Sequence, residues 1–183
     1  DLKLTIDSRI QTIIERELDI AQATYNPDSI IAIAMNPNTG EILGMSSSPS
    51  FSPSDYQAVD PEIYNRNLPI WMSFEPGSTF KIITLAAALE EDKVELHNEH
   101  FFDGGSTTVG GARLKCWKAG GHGTQTFMEV VQNSCNPGFV ILGQRLGKEK
   151  LFSYIKKLGF GSKTGVDLNG ESSGILFDVN KIG

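Results

Sequence analysis

Glu75-Pro76-Gly77-Ser78-Thr79-Phe80-Lys81, followed by Ile82-Ile83-Thr84-Leu85-Ala86-Ala87-Ala88-Leu89, is the stretch whose reading decides the fold. Pro76-Gly77 ends whatever precedes it, and the apolar run predicts a helix from about Ser78 to about Glu91. The run is apolar nearly all round, which predicts an interior helix. Ser78 and Lys81 stand three residues apart at its start, so both side chains fall on one face. The helix N-terminus supplies a positive field and free N–H groups for an oxyanion. A lysine whose pKa is lowered by burial can take a serine proton and create a nucleophile for acyl transfer. The bland alternative is a surface serine near a solvated lysine. It loses weight here because a charge on an apolar, interior helix is costly without a task.

Upstream, Ile10, Ile13, Ile14, Leu18 and Ala21 form a helical stripe. Asp7 or Ser8 is placed to cap it, and Asn26-Pro27 ends it. Residues 29–35 and 41–46 predict two strands joined through Asn36-Pro37-Asn38-Thr39-Gly40 as a hairpin. The first is apolar on both faces, which predicts a central strand covered by helices. Residues 47–69, rich in Ser, Pro and Asp, read as a surface loop. Downstream, residues 98–125 are rich in glycine and threonine and predict an irregular or short-stranded excursion. Thr126-Phe127-Met128-Glu129 fits a capping box, opening a short helix that ends near Gln132. Asn136-Pro137 reads as an N-cap followed by proline at the first helical position. A last helix runs from about Lys148 to Leu158 and stops at Gly159.

The 183 residues suit one domain or a large piece of one, and 39% hydrophobic content supports a packed core. A net charge of −6, with no cluster of basic residues, argues against a nucleic-acid partner. No apolar run reaches the roughly 18 residues of a membrane span. Two cysteines are too few for a disulfide scaffold. Both ends read as cut, with nothing resembling a closing element at Lys181-Ile182-Gly183.

A second chemical feature is Ser134-Cys135-Asn136, 56 residues beyond Ser78. A hydroxyl and an amide two residues apart point the same way on an extended turn, fit to relay a proton and hold a substrate amide. Taken alone, helix capping by Asn136 is the simpler account.

Together, Glu75-Pro76-Gly77-Ser78-Thr79-Phe80-Lys81 and Asn133-Ser134-Cys135-Asn136-Pro137 resemble the transpeptidase domain of class B penicillin-binding proteins. The resemblance runs over essentially the whole chain, including the Asn36–Ile42 hairpin and Phe160-Gly161 onward. Leu114-Lys115-Cys116-Trp117-Lys118 and Gly121-His122-Gly123 narrow it to members serving spore cortex synthesis. It implies an α/β fold of the serine β-lactamase and penicillin-binding type, an antiparallel sheet flanked by helices with an all-helical lobe. Only the N-terminal portion of that fold is expected here. Residues 1–50 would be scaffold helix and hairpin, 51–160 the nucleophile helix and helical lobe with a glycine-rich insertion, and 161–183 a turn leading to missing strands.

By the same resemblance Ser78 is the acylated nucleophile, Lys81 its general base, and Ser134 and Asn136 the second motif. The implied activity is a D,D-transpeptidase that attacks D-Ala-D-Ala stem peptides, releases D-Ala and cross-links peptidoglycan; β-lactams acylate Ser78 instead. The family's setting implies the extracytoplasmic face of the membrane, an anchor N-terminal to this chain and a membrane glycan polymerase as partner. Lys163-Thr164-Gly165 spells the family's third motif, but it lies 29 residues past Ser134 and no buried-strand pattern follows it. It is read as a decoy, the working motif falling beyond the chain, so the isolated piece is expected to be poorly active. Two rivals stand. One is a β-lactamase-type hydrolase, for which Glu171 is the one loosely suitable carboxylate. The other is a non-catalytic β-lactam sensor or cell-wall scaffold.

Asp103, Cys116, His122 and Cys135 make a further constellation, a donor set suited to a tetrahedral Zn2+ site. Cys135 lies between Ser134 and Asn136, so a metal holding it would brace that motif from behind. A Cys116–Cys135 disulfide, allowed by the family's extracytoplasmic location, is the rival, and two buried thiols beside an unrelated histidine is the plain alternative. His97 and His100 are alternates for His122.

Overall fold

A computed structural model describes residue 1 and residues 3–179; the final residues, 180–183, of the 161–183 segment lie outside the described residues. The chain forms two compact units, one of Asp1–Ser73 with Gly165–Ser172, the other of Phe74–Thr164 with the residues from Ser173 onward.

In the first unit, α1 (Ser8–Tyr25) starts where Asp7 accepts from the N–H groups of Arg9 and Ile10, at 2.8 and 3.4 Å, and ends at left-handed Asn26. Strands β1 (Ile30–Met35) and β2 (Ile42–Ser48) form an antiparallel hairpin with Ile30 opposite Ser48 and a bulge at Ala34/Met35. Helix α1 packs chiefly on β2. There the Gln11 amide donates to Met45 O at 2.9 Å and accepts from Met45 N at 2.8 Å, satisfying backbone groups that a free sheet edge would expose. The expected stripe holds except at Ile13, which is exposed.

Two expectations for this unit are corrected. Among the described residues β1 pairs with β2 alone, and Ile33 is 48% exposed, so β1 is not a covered central strand. The segment read as a surface loop contains a 3-10 turn (Pro53–Ala58) and two single-turn helices, α2 (Pro61–Tyr64) and α3 (Leu68–Trp71). Proline stands in the first turn of each, where its missing N–H costs nothing. Pro61 and Pro69, which by composition alone mark a loop, here start helices.

The second unit begins its regular structure with a 3-10 turn (Gly77–Phe80) running into α4 (Lys81–Glu90). Four short strands follow: β3 (His100–Asp103), β4 (Ser106–Val109), β5 (Ala112–Lys115) and β6 (Gly123–Thr126). They pair as two antiparallel ribbons, β3 with β6 and β4 with β5. Then come α5 (Phe127–Gln132), opened by the Thr126/Glu129 capping box, α6 (Asn136–Leu146) and α7 (Lys148–Lys157). Helix α6 packs against α4, α5 and α7. Its Leu142 is fully buried against core partners that include Ala87 and Ala88, whose small side chains let α4 approach closely, together with fully buried Phe127, Val130 and Cys135. Helix α4 is not buried all round. Ile83, Thr84, Ala87 and Ala88 face inward while Ile82 is 67% exposed.

Candidate active site

Every residue of the two chemical motifs lies in the second unit. Gly77, at φ +58°, makes the left-handed bend that delivers the chain into α4. Ser78 follows it, exposed, in the 3-10 turn, and Lys81 is the first residue of α4 proper. The two thus sit at the helix mouth, on a tighter turn than an α-helix makes.

Lys81 is partly buried, and its ammonium makes three hydrogen bonds: to Ser134 O at 2.8 Å, Ser134 Oγ at 3.0 Å and Asn136 Oδ1 at 2.6 Å. Burial lowers its pKa, and the nearby Cys135 and Cys116 oppose that shift. The Asn136 amide nitrogen donates to Lys115 O at 3.0 Å, which fixes which end of the amide meets the lysine. A cleft of about 610 Å³ opens beside Lys81 and Asn136, walled by Val109, Leu114, Phe139 and Val140.

The backbone around Ser134 departs from the extended turn expected of it. Ser134 has φ +47°. Its N–H bonds Val131 O at 3.0 Å and the Cys135 N–H bonds Val130 O at 3.0 Å. These are the two hydrogen bonds of a Schellman motif closing α5, with serine at the position glycine usually takes. The left-handed conformation costs roughly 1–2 kcal/mol for a residue bearing a Cβ. In it Ser134 presents both its oxygens to Lys81. The cap of α6 is Cys135, not Asn136 as the sequence implied, so the Asn136 side chain is free for Lys81 and Lys115.

Cys135 points to the other side of this turn, as expected. Its Sγ donates to Asp103 Oδ2 at 3.3 Å, and the residue is fully buried. Cys116 Sγ lies 3.3 Å from His122 Nδ1, which lies 2.9 Å from Asp103 Oδ2. One donor atom from each of Asp103, Cys116, His122 and Cys135 lies within 4.8 Å of the others. Both thiols are free. Asp103 also accepts from the N–H groups of Gly105 at 2.8 Å and His122 at 3.0 Å. Burial works to raise the Asp103 pKa, but the hydrogen bonds it accepts from Cys116, His122 and Gly105 outweigh it and hold the carboxyl well below the usual range. Burial pushes the Cys135 thiol up to about 12, helped by the charge of Asp103.

Among the described residues His122 Nε2 is buried with no hydrogen-bond partner. The bonds of Nδ1 all run inward to the cluster. His97 and His100 are exposed, and His100 Nδ1 lies 3.0 Å from Asn98 O, so neither joins the cluster. Trp117 donates its indole N–H to Asn133 O at 2.7 Å. Phe74 is exposed, and Trp71 stacks under the Arg66 guanidinium. Lys163, Thr164 and Gly165 lie in irregular chain rather than a strand, and Glu171 accepts from Gly165 N at 3.1 Å.

A helix-borne lysine joined to a Ser-x-Asn turn, in an α/β chain of antiparallel strands flanked by helices, defines the serine β-lactamase and penicillin-binding class of fold. The chain belongs to the penicillin binding protein transpeptidase domain family, whose model matches residues 30–182. It is 69% identical to stage V sporulation protein D of Bacillus subtilis, covering 100% of this chain and 28% of that protein. It is 31% identical to the peptidoglycan D,D-transpeptidase FtsI of Escherichia coli over 96% of this chain and 29% of that one. Among solved structures, penicillin binding protein 3 of Mycobacterium tuberculosis, complexed with ampicillin, matches at a TM-score of 0.89 and 29% identity, over 98% of this chain and 39% of that chain. The chain thus spans less than a third of the length of these curated relatives.

Proposed function

We propose that this chain carries the nucleophile and second motif of a peptidoglycan D,D-transpeptidase. The observation that supports this best is the Lys81 ammonium, held between Ser134 Oγ and Asn136 Oδ1 at the mouth of the helix that bears Ser78. In this reading neutral Lys81 takes the Ser78 proton as Oγ attacks the carbonyl of the D-Ala-D-Ala peptide bond. The C–N bond breaks, and Ser134 hands the leaving amine its proton, drawn from Lys81. The acyl-serine ester is then attacked by an amine of a neighbouring stem peptide, forming the cross-link and restoring Ser78. The Asn136 N–H not spent on Lys115 holds a substrate carbonyl. A β-lactam acylates Ser78 in the same way, and the ring-opened amine stays attached.

Mass spectrometry of the full-length protein after exposure to a fluorescent penicillin tests this. The expected result is one adduct, on Ser78, persisting for hours and absent in Ser78→Ala. Rapid turnover of the β-lactam would favour the hydrolase, and absence of any adduct the scaffold. The likeness to stage V sporulation protein D supports a role in sporulation; within it we propose spore cortex synthesis at the extracytoplasmic membrane face, with a glycan polymerase partner. Loss of cross-linked cortex in spores carrying only Ser78→Ala is the outcome expected there.

The Asp103, Cys116, His122 and Cys135 donors favour a second assignment, a bound Zn2+. The donor set fits: two thiols, an imidazole and a carboxylate converge, and a mixed thiolate and imidazole set suits tetrahedral zinc. Zinc there would supply structural cross-linking, not reaction chemistry. The residues themselves fix Cys135, and through the chain Ser134 and Asn136. Metal content with thiol titration, on protein purified without chelator or reductant, decides it. One zinc per chain with masked thiols is expected; no metal and no free thiol would assign the disulfide.

A further inference from the structure

Trp117 is two-thirds exposed, so burial does not explain its place, yet its one polar group is committed. The indole N–H reaches the carbonyl of Asn133, 16 residues along the chain, at 2.7 Å. That carbonyl belongs to the residue after the last helical one of α5, among those a helix C-terminus leaves without an intrahelical partner. It also belongs to the peptide bond entering Ser134. The plane of that peptide is set by ψ of Asn133, −4°, and φ of Ser134, +47°. Turning the plane over would carry Ser134 out of its left-handed conformation, the direction in which a residue with a Cβ relaxes. The same turn would swing the carbonyl away from the indole. The donor therefore opposes the motion that would withdraw Ser134 from Lys81.

The neighbouring contacts make the same link from the same stretch of chain. Lys115 O, two residues before Trp117, accepts from Asn136 Nδ2 at 3.0 Å. The Trp117 ring meets His122 edge-on at 5.3 Å between centroids. The end of β5 and the residues just after it thus hold the Ser134 turn on both flanks, Lys115 at Asn136 and Trp117 at Asn133.

We infer that Trp117 is a positioning residue for the acylation step: its indole N–H locks the Asn133–Ser134 peptide so that the left-handed Ser134 keeps its oxygens on Lys81. This rests on the transpeptidase reading of the site. Trp117 touches neither substrate nor nucleophile in this role.

The test is β-lactam acylation of the full-length protein, resolved into a pre-acylation binding constant and a limiting rate. Trp117→Phe keeps an aromatic ring and loses the donor. Site-specific 3-benzothienylalanine at 117, with sulfur in place of N–H, keeps the ring's size as well. Both are expected to slow the limiting rate about fivefold, the population weight of one neutral hydrogen bond, with unchanged binding constant and metal content and a melting temperature within a few degrees of the parent's. Equal limiting rates in the parent and both variants overturn the inference while leaving the transpeptidase reading intact. A slower rate accompanied by a melting temperature lowered by more than one hydrogen bond explains, or by loss of metal, in both variants also overturns it, marking Trp117 as a residue of the fold. If the parent itself is not labelled at Ser78, both the reading and the inference fall.

Discussion

Lys81 Nζ and Asn136 Oδ1 lie 2.6 Å apart, and the other end of that amide is tied to Lys115 O at 3.0 Å. The amide is therefore oriented from both ends before any substrate arrives. A charge-assisted hydrogen bond of this kind outweighs a neutral one, and it joins the start of α4 to the start of α6 across the helical core.

Asn136→Ala removes both links. Hydrogen bonds to charged groups are worth about 1.5–3 kcal/mol, so the rate of Ser78 acylation should fall roughly tenfold to a hundredfold. Stopped-flow acylation measures this, and a loss under threefold would show that Lys81 is positioned by Ser134 alone.

Burial lowers the Lys81 pKa, and a lowered lysine pKa means more neutral amine at any given pH. The acylation rate should therefore rise with pH and level off once the amine is neutral, with its midpoint below that of a free lysine. A pH–rate profile on Ser78 labelling checks it. A midpoint at or above the free-lysine value would remove Lys81 as the general base.

Gly121, at φ +81°, passes so close to β3 that an added Cβ would collide with Asp103 O and Gly105 N. Neither backbone atom can move without disturbing the Asp103 cluster. Gly121→Ala should cost roughly 2–5 kcal/mol, left-handed strain plus overpacking. Gly120, at φ +79° with nothing within 4 Å of its Cβ position, carries only the strain. Thermal unfolding of the two variants should show the larger loss at Gly121; equal losses would refute the close approach.

Asp103 is 1% exposed and accepts from Gly105 N, His122 N, His122 Nδ1 and Cys135 Sγ. Asp103→Asn replaces an acceptor oxygen by a donor among donors. The expected loss is about 2–4 kcal/mol, seen as a lower melting temperature. A variant as stable as the parent would mean that the cluster contributes little to the fold.

Much of the local architecture was legible because its causes lie within a few residues. Asp7 caps α1, Thr126 and Glu129 box α5, and Gly159 follows α7, each through hydrogen bonds or dihedral preferences spanning a turn. The short helices α2 and α3 were missed because Pro61 and Pro69 serve equally as turn residues and as first-turn residues. The cap of α6 was misplaced by one residue. Asn136 is a good cap by propensity, but its amide goes to Lys81 and Lys115, partners 55 and 21 residues away.

The sequence by itself determined the family, the four residues Ser78, Lys81, Ser134 and Asn136, and the donor set Asp103, Cys116, His122 and Cys135 as groups to watch. The family and the first four follow from the resemblance, and residue type alone marks the donor set, because few side chains can hold a metal. Only the tertiary structure decided which contacts form. It placed three Lys81 hydrogen bonds on the Ser134–Asn136 segment, put Ser134 in a left-handed site normally given to glycine, and set Trp117 on the carbonyl before it. A left-handed serine has no mark in the sequence, since local preference argues against it. Long-range contacts hold it there, and these exist only once α4, α5 and the β5–β6 loop have packed together.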